Sequence, residues 1–124
     1  MSEYSRHDKL AHSWIETWNT RDLERILALY SEDAKMSSAG VSRLEISQDG
    51  QVAGKDSLRR YWLLALSKLP NLHFRLLDVF ASPDSVVVRY LNERGQTICE
   101  YLRFDLEGKI VQGSANHLIG EQPR

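Results

Sequence analysis

Apolar residues recur at helical spacing in three segments of the chain before Pro70. They predict amphipathic helices over 7–18, 22–30 and 55–69. Thr20 is placed to cap the second helix, and Pro70 ends the third. The first part of the chain therefore consists of helices that each have an apolar face to bury.

In the second half of the chain the period changes from helical to alternating. Strands are predicted over 72–80, 85–91, 97–105 and 110–118, joined by short turns rich in Gly, Pro, Asn and Asp. Helices followed by an antiparallel meander of strands form an α+β domain. We expect a single domain over residues 1–124.

The pattern is weakest between the second and third helices. A short strand is predicted over 36–38 and a turn over 48–50. The remainder of 39–53 has no clear period, and it is a candidate lid over the interior.

The composition is that of an ordinary globular domain, with 42% hydrophobic and 27% charged residues among 124. A formal net charge of -1 gives no strong field, so neither nucleic acid nor a membrane is an expected partner. No apolar stretch is long enough to span a bilayer, and the first residues lack a signal peptide's apolar segment. Cys99, the single cysteine, cannot form an internal disulfide, so we expect a cytoplasmic location. No spacing of His, Cys, Asp and Glu fits a metal site, and no cofactor is expected.

The register of the last two strands identifies the candidate catalytic residues. A two-residue turn at 107–108 places Glu100 and His117 on the same otherwise apolar face, which we assign to the interior. The two are diagonal cross-strand neighbours, about 7–8 Å apart at the backbone. The apolar residues on this face are Ile98, Leu102, Phe104, Val111, Gly113 and Ala115.

A carboxylate in an apolar interior has its pKa raised by desolvation, and an imidazole beside it can act as a partner in proton transfer. Glu100 and His117 are therefore the best catalytic candidates in the chain. The alternative is a buried contact that only satisfies two polar groups.

The inward residues of strand 85–91 depend on the loop that follows it. A three-residue turn with Gly95 in the left-handed region places Val88 and Tyr90 inside. A two-residue loop places Arg89 inside instead, where its charge would hold a neighbouring carboxyl ionised. The sequence leaves both open.

Several short strings resemble the SnoaL-like branch of the nuclear transport factor 2-like superfamily. They are WNTRDL at 18–23, LYSEDA at 29–34, GKDSL at 54–58 and FDLEGKIV at 104–111. The resemblance covers nearly the whole chain in the right order. It implies a conical α+β barrel, with three N-terminal helices packed in a curved, mainly antiparallel sheet and a pocket at the open end. Many members of the superfamily are homodimers, and we expect a homodimer through the convex sheet.

A pocket of this kind suits a small apolar or aromatic molecule. The resemblance places the helix segments of Trp14 and Trp62 along the cavity. The expected pocket residues are Trp18, Tyr30, Ser38, Trp62, Phe74, Val88, Tyr90, Leu102, Phe104, Gly113 and Ala115.

Resemblance to ketosteroid isomerase, a member of the superfamily, narrows the chemistry. Alignment puts Ser38 at the position of the catalytic base, Trp14 at that of the oxyanion tyrosine and Glu100 at that of the protonated aspartic acid. Glu100 alone keeps a carboxylic acid, so steroid isomerisation by that mechanism is not expected. A redistributed site would use Glu100 as acid or base, His117 as its partner and Trp14 as a donor to a carbonyl oxygen. The competing hypothesis is a non-catalytic module for dimerisation or protein binding.

Overall fold

The computed structural model of the chain describes residues 3–44 and 46–121, which form four helices and six strands. None of these helices is long and apolar enough to cross a membrane. In chain order the elements are α1 (Ser5–Asn19), α2 (Leu23–Leu27), β1 (Tyr30–Ser37), α3 (Ala39–Arg43), β2 (Gln51–Ala53), α4 (Lys55–Lys68), β3 (Arg75–Ser82), β4 (Ser85–Leu91), β5 (Thr97–Phe104) and β6 (Ile110–His117).

The strands form one curled sheet in the order β2-β1-β6-β5-β4-β3. The predicted antiparallel meander is confirmed for β3 to β6, and it is extended by β1, which pairs with β6 in parallel, and by β2. Helix α1 packs on β3 and β4, and α4 packs on β1 and β2. The fold is thus α+β, with helices held against the inner face of the sheet.

The second helix is shorter than the sequence predicts, and it has a different cap. It ends at Leu27, and the Asp22 carboxylate accepts a hydrogen bond from the backbone N–H of Arg25 at 3.3 Å. The predicted cap was wrong, because Asp22 and not Thr20 precedes the helix; the Thr20 hydroxyl donates to the carbonyl of Thr17 at 2.6 Å and accepts from the Asp22 N–H at 3.2 Å.

The residues after this helix form a strand because a distant strand pairs with them. Tyr30 was predicted at the end of a helix, but β1 begins there, opposite Ile110 of β6. The Ile110 N–H donates to the carbonyl of Leu29 at 2.9 Å. Local propensity is a weak prior that such tertiary pairing overrides.

The described part of the weakly patterned segment contains the short helix α3 and the strand β2. Ser38 caps α3, since its hydroxyl oxygen accepts a hydrogen bond from the backbone N–H of Gly40 at 3.2 Å. Strand β2 pairs with the end of β1. The end of this segment is therefore part of the sheet.

The β5–β6 turn has three residues, 106–108, and not the predicted two. The Asp105 N–H donates to the carbonyl of Lys109 at 2.9 Å, and Gly108 adopts a φ of 82°. A glycine in this left-handed region is the usual solution for a three-residue hairpin.

A bulge in β6 compensates for the extra turn residue. Phe104 pairs with Ile110 rather than with Val111, which is left unpaired, and Arg103 then pairs with Gln112 as predicted. Ile110, and not Val111, is therefore the buried residue. The predicted register holds from this pair onward.

The loop after β4 settles which of its residues face inward. The Asn92 N–H donates to the carbonyl of Gln96 at 3.0 Å, and Gly95 has a φ of 74°, as expected for a three-residue turn. Val88 and Tyr90 are accordingly buried. Arg89 points outward and forms an ion pair with Asp78 on β3.

The end of α4 is held from the turn between the first two helices. Arg21, at a φ of 59°, donates from its guanidinium to the carbonyls of Leu66 at 2.8 Å and Leu69 at 2.5 Å. These carbonyls belong to the last turn of the helix, where each also accepts one backbone N–H, from Leu69 at 3.3 Å and from Leu72 at 3.1 Å, so Arg21 adds a side-chain cap.

Candidate functional site

A cavity of about 370 Å³ opens at one end of the inner face of the sheet. Its interior is formed by buried aromatic side chains of α1, α4 and the sheet, with the buried acid Glu100. Exposed cations stand at its mouth: Arg43, Lys68 and Arg94. Its size and mostly apolar lining are typical of small-molecule pockets.

Most of the residues expected at the site lie along this cavity. They are Trp14, Trp18, Ser38, Trp62, Phe74, Tyr90, Glu100, Ala115 and His117. We name this part of the inner face, around Tyr90, Glu100 and His117, the open end.

Five expected pocket residues do not line the cavity, and the prediction was wrong for them. Tyr30, Val88, Leu102, Phe104 and Gly113 are buried in the packed core. At Gly113 a Cβ atom would come within 3.3 Å of Leu102 Cδ2 and of Met36 Sδ, so no space remains for a ligand. We name the region around Leu102, Phe104, Ile110 and Gly113 the narrow end.

Glu100 is the principal acidic group inside the cavity. Its side chain is 2% exposed, and one carboxyl oxygen accepts a hydrogen bond from the Tyr90 hydroxyl at 2.9 Å. Burial raises the pKa of Glu100 to about 7, against the opposing effect of the Tyr90 hydrogen bond. The group thus exchanges its proton near neutral pH.

His117 lines the same cavity but does not pair with Glu100. Among the described residues no hydrogen bond or ion pair joins the two side chains, although they are diagonal neighbours in the register. Partial burial lowers the pKa of His117, and the nearby charge of Arg43 lowers it further. The imidazole is therefore neutral near pH 7 and can accept a proton.

Trp14 forms a hydrogen bond within the protein. Its indole N–H donates to the Tyr30 hydroxyl at 3.0 Å, and its ring stacks on Phe74 with centroids 5.8 Å apart. The Asn19 amide anchors Phe74 by bonding both its backbone N–H and its carbonyl, at 2.8 and 2.9 Å. In contrast, the indole nitrogen of Trp18, also at the cavity, is buried with no hydrogen-bond partner among the described residues.

Sequence reasoning missed the wall that α3 and α4 build. Gly40 and Arg43 of α3 and Tyr61 of α4 line the cavity next to Ser38. Tyr61 lies next to Trp62 on the apolar face of a predicted helix, a signal that could have found it. The sequence of α3 has no motif or hydrophobic period that would predict Gly40 and Arg43 as site residues.

The described residues contain no group of three or more His, Cys, Asp or Glu side chains arranged to hold a metal ion. The exposed His12 and Asp8 form a surface pair on α1, with nitrogen and oxygen 3.5 Å apart. The chemistry that this cavity can perform with its own side chains is hydrogen bonding and proton transfer.

A curled sheet that encloses helices and a mostly apolar cavity defines a class of small cone-shaped domains. Within this class the chain belongs to the SnoaL-like domain family, whose model matches residues 11–113. No match was found among curated proteins.

Solved structures show the same cone fold. A SnoaL-like protein of unknown function from Burkholderia thailandensis E264 is 30% identical, with 90% of this chain and 92% of that chain covered and a TM-score of 0.83. A candidate isomerase of the SnoaL-like family from Agrobacterium tumefaciens C58 is 15% identical, with 92% and 98% covered and a TM-score of 0.72. A candidate polyketide cyclase from Sinorhizobium meliloti is 12% identical, with 87% and 94% covered and a TM-score of 0.69.

Proposed function

We propose that the cavity binds a small, mainly apolar carbonyl compound and that Glu100 transfers a proton at the carbon next to its carbonyl group. The observation that carries the proposal is the position of Glu100, a buried acid with a pKa of about 7 inside an apolar cavity. General acid–base catalysis works best when the pKa of the group lies near the operating pH.

The proposed reaction is a balanced proton transfer. The Glu100 carboxylate takes a proton from the carbon, the C–H electron pair forms the C=C bond of an enolate, and the carbonyl oxygen takes the negative charge. The protonated Glu100 then returns the proton to carbon, at the same or a conjugated position. His117, neutral at the same pH, supplies a second basic group on the cavity wall.

The lining supports the proposed ligand class. Trp62, Phe74 and Trp18 offer apolar ring surfaces, and Tyr90 holds the acid in place. Trp14 contributes by holding Tyr30 and Phe74, because its N–H is already bonded. The isomerase and cyclase descriptions of the two distant structural neighbours are compatible with this chemistry, but at 15% and 12% identity they support the fold alone.

Deuterium exchange tests the proposal. The protein is incubated in D2O with the bicyclic ketones 2-tetralone and 2-indanone, and exchange next to the carbonyl is followed by NMR. We expect exchange above the buffer rate, and we expect Glu100→Gln to lower it by about 10²–10⁴-fold, since the amide cannot act as a base.

Glu107→Gln is the matched control, because Glu107 is exposed in the β5–β6 turn. It should leave the exchange rate unchanged. Equal rates for the wild type and Glu100→Gln would contradict the role of Glu100.

The alternative is a non-catalytic module of the same fold. It is favoured by the Tyr90 hydrogen bond, which satisfies one oxygen of Glu100, and by the lack of a hydrogen bond or ion pair between Glu100 and His117 among the described residues. It predicts ketone exchange at the buffer rate for both the wild type and Glu100→Gln.

We also propose that the protein is a homodimer through the convex face of the sheet, working in the cytoplasm. Tyr101 and the free thiol of Cys99 are half-buried there, and Phe80 is 55% exposed. Light scattering after size exclusion should give twice the mass of the chain, 14.3 kDa. Phe80→Glu should shift it toward the monomer, and a monomeric wild type would contradict the proposal.

A further inference from the structure

We propose that the Tyr61 hydroxyl is the hydrogen-bond donor to the oxygen of the bound carbonyl compound, in the space that Gly40 leaves beside Ser38. The assignment rests on the proposed function and adds a residue to it. It gives the donor role to a side chain of α4 instead of to Trp14 of α1.

Burial and the charge of Glu100 raise the pKa of three tyrosines, Tyr30, Tyr61 and Tyr90. Their positions show which of them can donate a hydrogen bond to a ligand. Tyr90 donates its hydroxyl proton to Glu100 itself. Tyr30 is buried behind the cavity wall, where its hydroxyl accepts from Trp14. Tyr61 alone of the three both lines the cavity and is not bonded to Glu100 or Trp14.

The backbone of α3 leaves room for this hydroxyl. A Cβ atom at Gly40 would lie 2.6 Å from Tyr61 Oη, closer than real Cβ contacts come. Any other residue at Gly40 would therefore push the hydroxyl away. Glycine at this position is required by the location of the Tyr61 hydroxyl.

Ser38 lies near the same group, since its Oγ is 3.7 Å from the Cβ position at Gly40. Its oxygen already accepts a hydrogen bond from the Gly40 N–H. The Ser38 hydroxyl lies beside that of Tyr61 and lowers its pKa, although the pair does not meet the geometry of a standard hydrogen bond. Among the described residues no hydrogen bond takes up the Tyr61 hydroxyl proton, so this proton is available to a ligand in the cavity.

The electrostatics suit a donor to a developing negative charge. Burial raises the pKa of Tyr61, so the hydroxyl keeps its proton near neutral pH, while the Arg43 guanidinium acts in the opposite direction. Arg43 also lines the cavity, and its positive charge favours an anionic oxygen on the same wall. As Glu100 takes the proton from carbon, negative charge forms on the carbonyl oxygen. The Tyr61 O–H stabilises this charge by donating a hydrogen bond to the oxygen.

Binding of 2-naphthol tests the donor without relying on turnover. Its hydroxyl group presents an oxygen acceptor on an aromatic frame. Titration calorimetry should give a dissociation constant about 3–10-fold weaker for Tyr61→Phe than for the wild type, the value of one hydrogen bond. Tyr4→Phe, which also removes one phenol hydroxyl but lies off the cavity, should bind as the wild type does.

Gly40→Ala provides a second variant that leaves the tyrosine in place. It should weaken 2-naphthol binding to a similar extent, because its Cβ displaces the hydroxyl. In the Tyr61→Phe background the same substitution should cost nothing further, since the clashing oxygen is gone. Circular dichroism and the melting temperature show whether each variant is folded.

Binding by Tyr61→Phe as tight as the wild type, or no binding of 2-naphthol to the wild type, would overturn the assignment. Additive losses from the two substitutions would also overturn the role of Gly40. If Tyr61→Phe weakens binding while Glu100→Gln leaves ketone exchange unchanged, the proton transfer fails and the donor assignment stands. In an active enzyme Tyr61→Phe should lower kcat more than it raises KM, because the bond strengthens as charge develops.

Discussion

The narrow end and the open end lie on the same face of the same two strands, yet only one of them can hold a ligand. Leu102 and Gly113 form one cross-strand pair, and Glu100 and Ala115 form the next pair on that face. At the narrow end the side chains of Leu102 and Met36 fill the space over Gly113. Strand parity decides which residues point inward, whereas position along the strand decides whether they meet core or cavity.

The two ends also differ in what burial does. At the narrow end burial of apolar side chains stabilises the fold. At the open end burial of Glu100 raises its pKa and so costs stability at neutral pH. The packed core at the narrow end therefore offsets the free energy that burial of the Glu100 carboxylate costs at the open end.

The largest expected effect contrasts two leucines. Leu102→Ala, at the fully buried narrow end, should lower the free energy of unfolding by about 2–5 kcal/mol. Leu72→Ala should cost less than half as much, because Leu72 already borders the cavity and its removal only enlarges that space. Urea denaturation of both variants measures the difference, and equal losses would break the comparison.

The second prediction concerns the pH dependence of stability. The pKa of Glu100 is about 7 in the folded chain against 4.5 for a free glutamate, so the folded state binds more protons between these values. The free energy of unfolding of the wild type should therefore fall, relative to Glu100→Gln, as pH rises from about 4 to about 8, by up to roughly 3 kcal/mol. Urea denaturation across this range tests it, and parallel curves would show that burial does not perturb Glu100.

Gly113→Ala tests whether the narrow end is tightly packed. The added methyl would meet Leu102, Met36 and the Tyr101 carbonyl at 3.3 Å, so we expect a loss of about 1–3 kcal/mol. Ser114→Ala, on the outer face of the same strand, is the control and should stay within about 0.5 kcal/mol of the wild type. A neutral or stabilising Gly113→Ala, measured by thermal unfolding, would mean that the narrow end has space after all.

The smallest expected effect is at the end of α4, which lines the cavity opposite the open end's residues. Arg21→Ala removes two hydrogen bonds to the carbonyls of Leu66 and Leu69, and it should cost about 1 kcal/mol. Arg25→Ala, an exposed arginine on the next helix, should be close to neutral. Thermal unfolding compares them, and similar melting temperatures would contradict the capping role.

The helices with a strong apolar face and the antiparallel meander could be predicted because both depend on local periodicity. Strand β1 could not be predicted in full, since the pairing of Tyr30 with Ile110 joins residues far apart in sequence. The segment of α3 and β2 is fixed by a serine cap and by edge pairing, which leave little periodic signal.

For the site, parity placed Glu100 and His117 on the inner face although the predicted turn was one residue too short, because the bulge in β6 restores the register. Parity could not predict that Glu100 borders the cavity whereas Leu102 lies in the packed core. That difference depends on how far the helices stand from the sheet, and the identity of neither residue reveals this distance. Parity also missed Tyr61 and Gly40, whose relation is a close approach of one side chain to one backbone across two helices.

The paired irregularities of the β5–β6 hairpin have an evolutionary consequence. The longer turn shifts the strand by one residue, and the bulge at Val111 shifts it back before Glu100 is reached. A deletion of one turn residue together with loss of the bulge would leave every residue of the open end on its present face. The hairpin can therefore change length during divergence while the cavity keeps its lining.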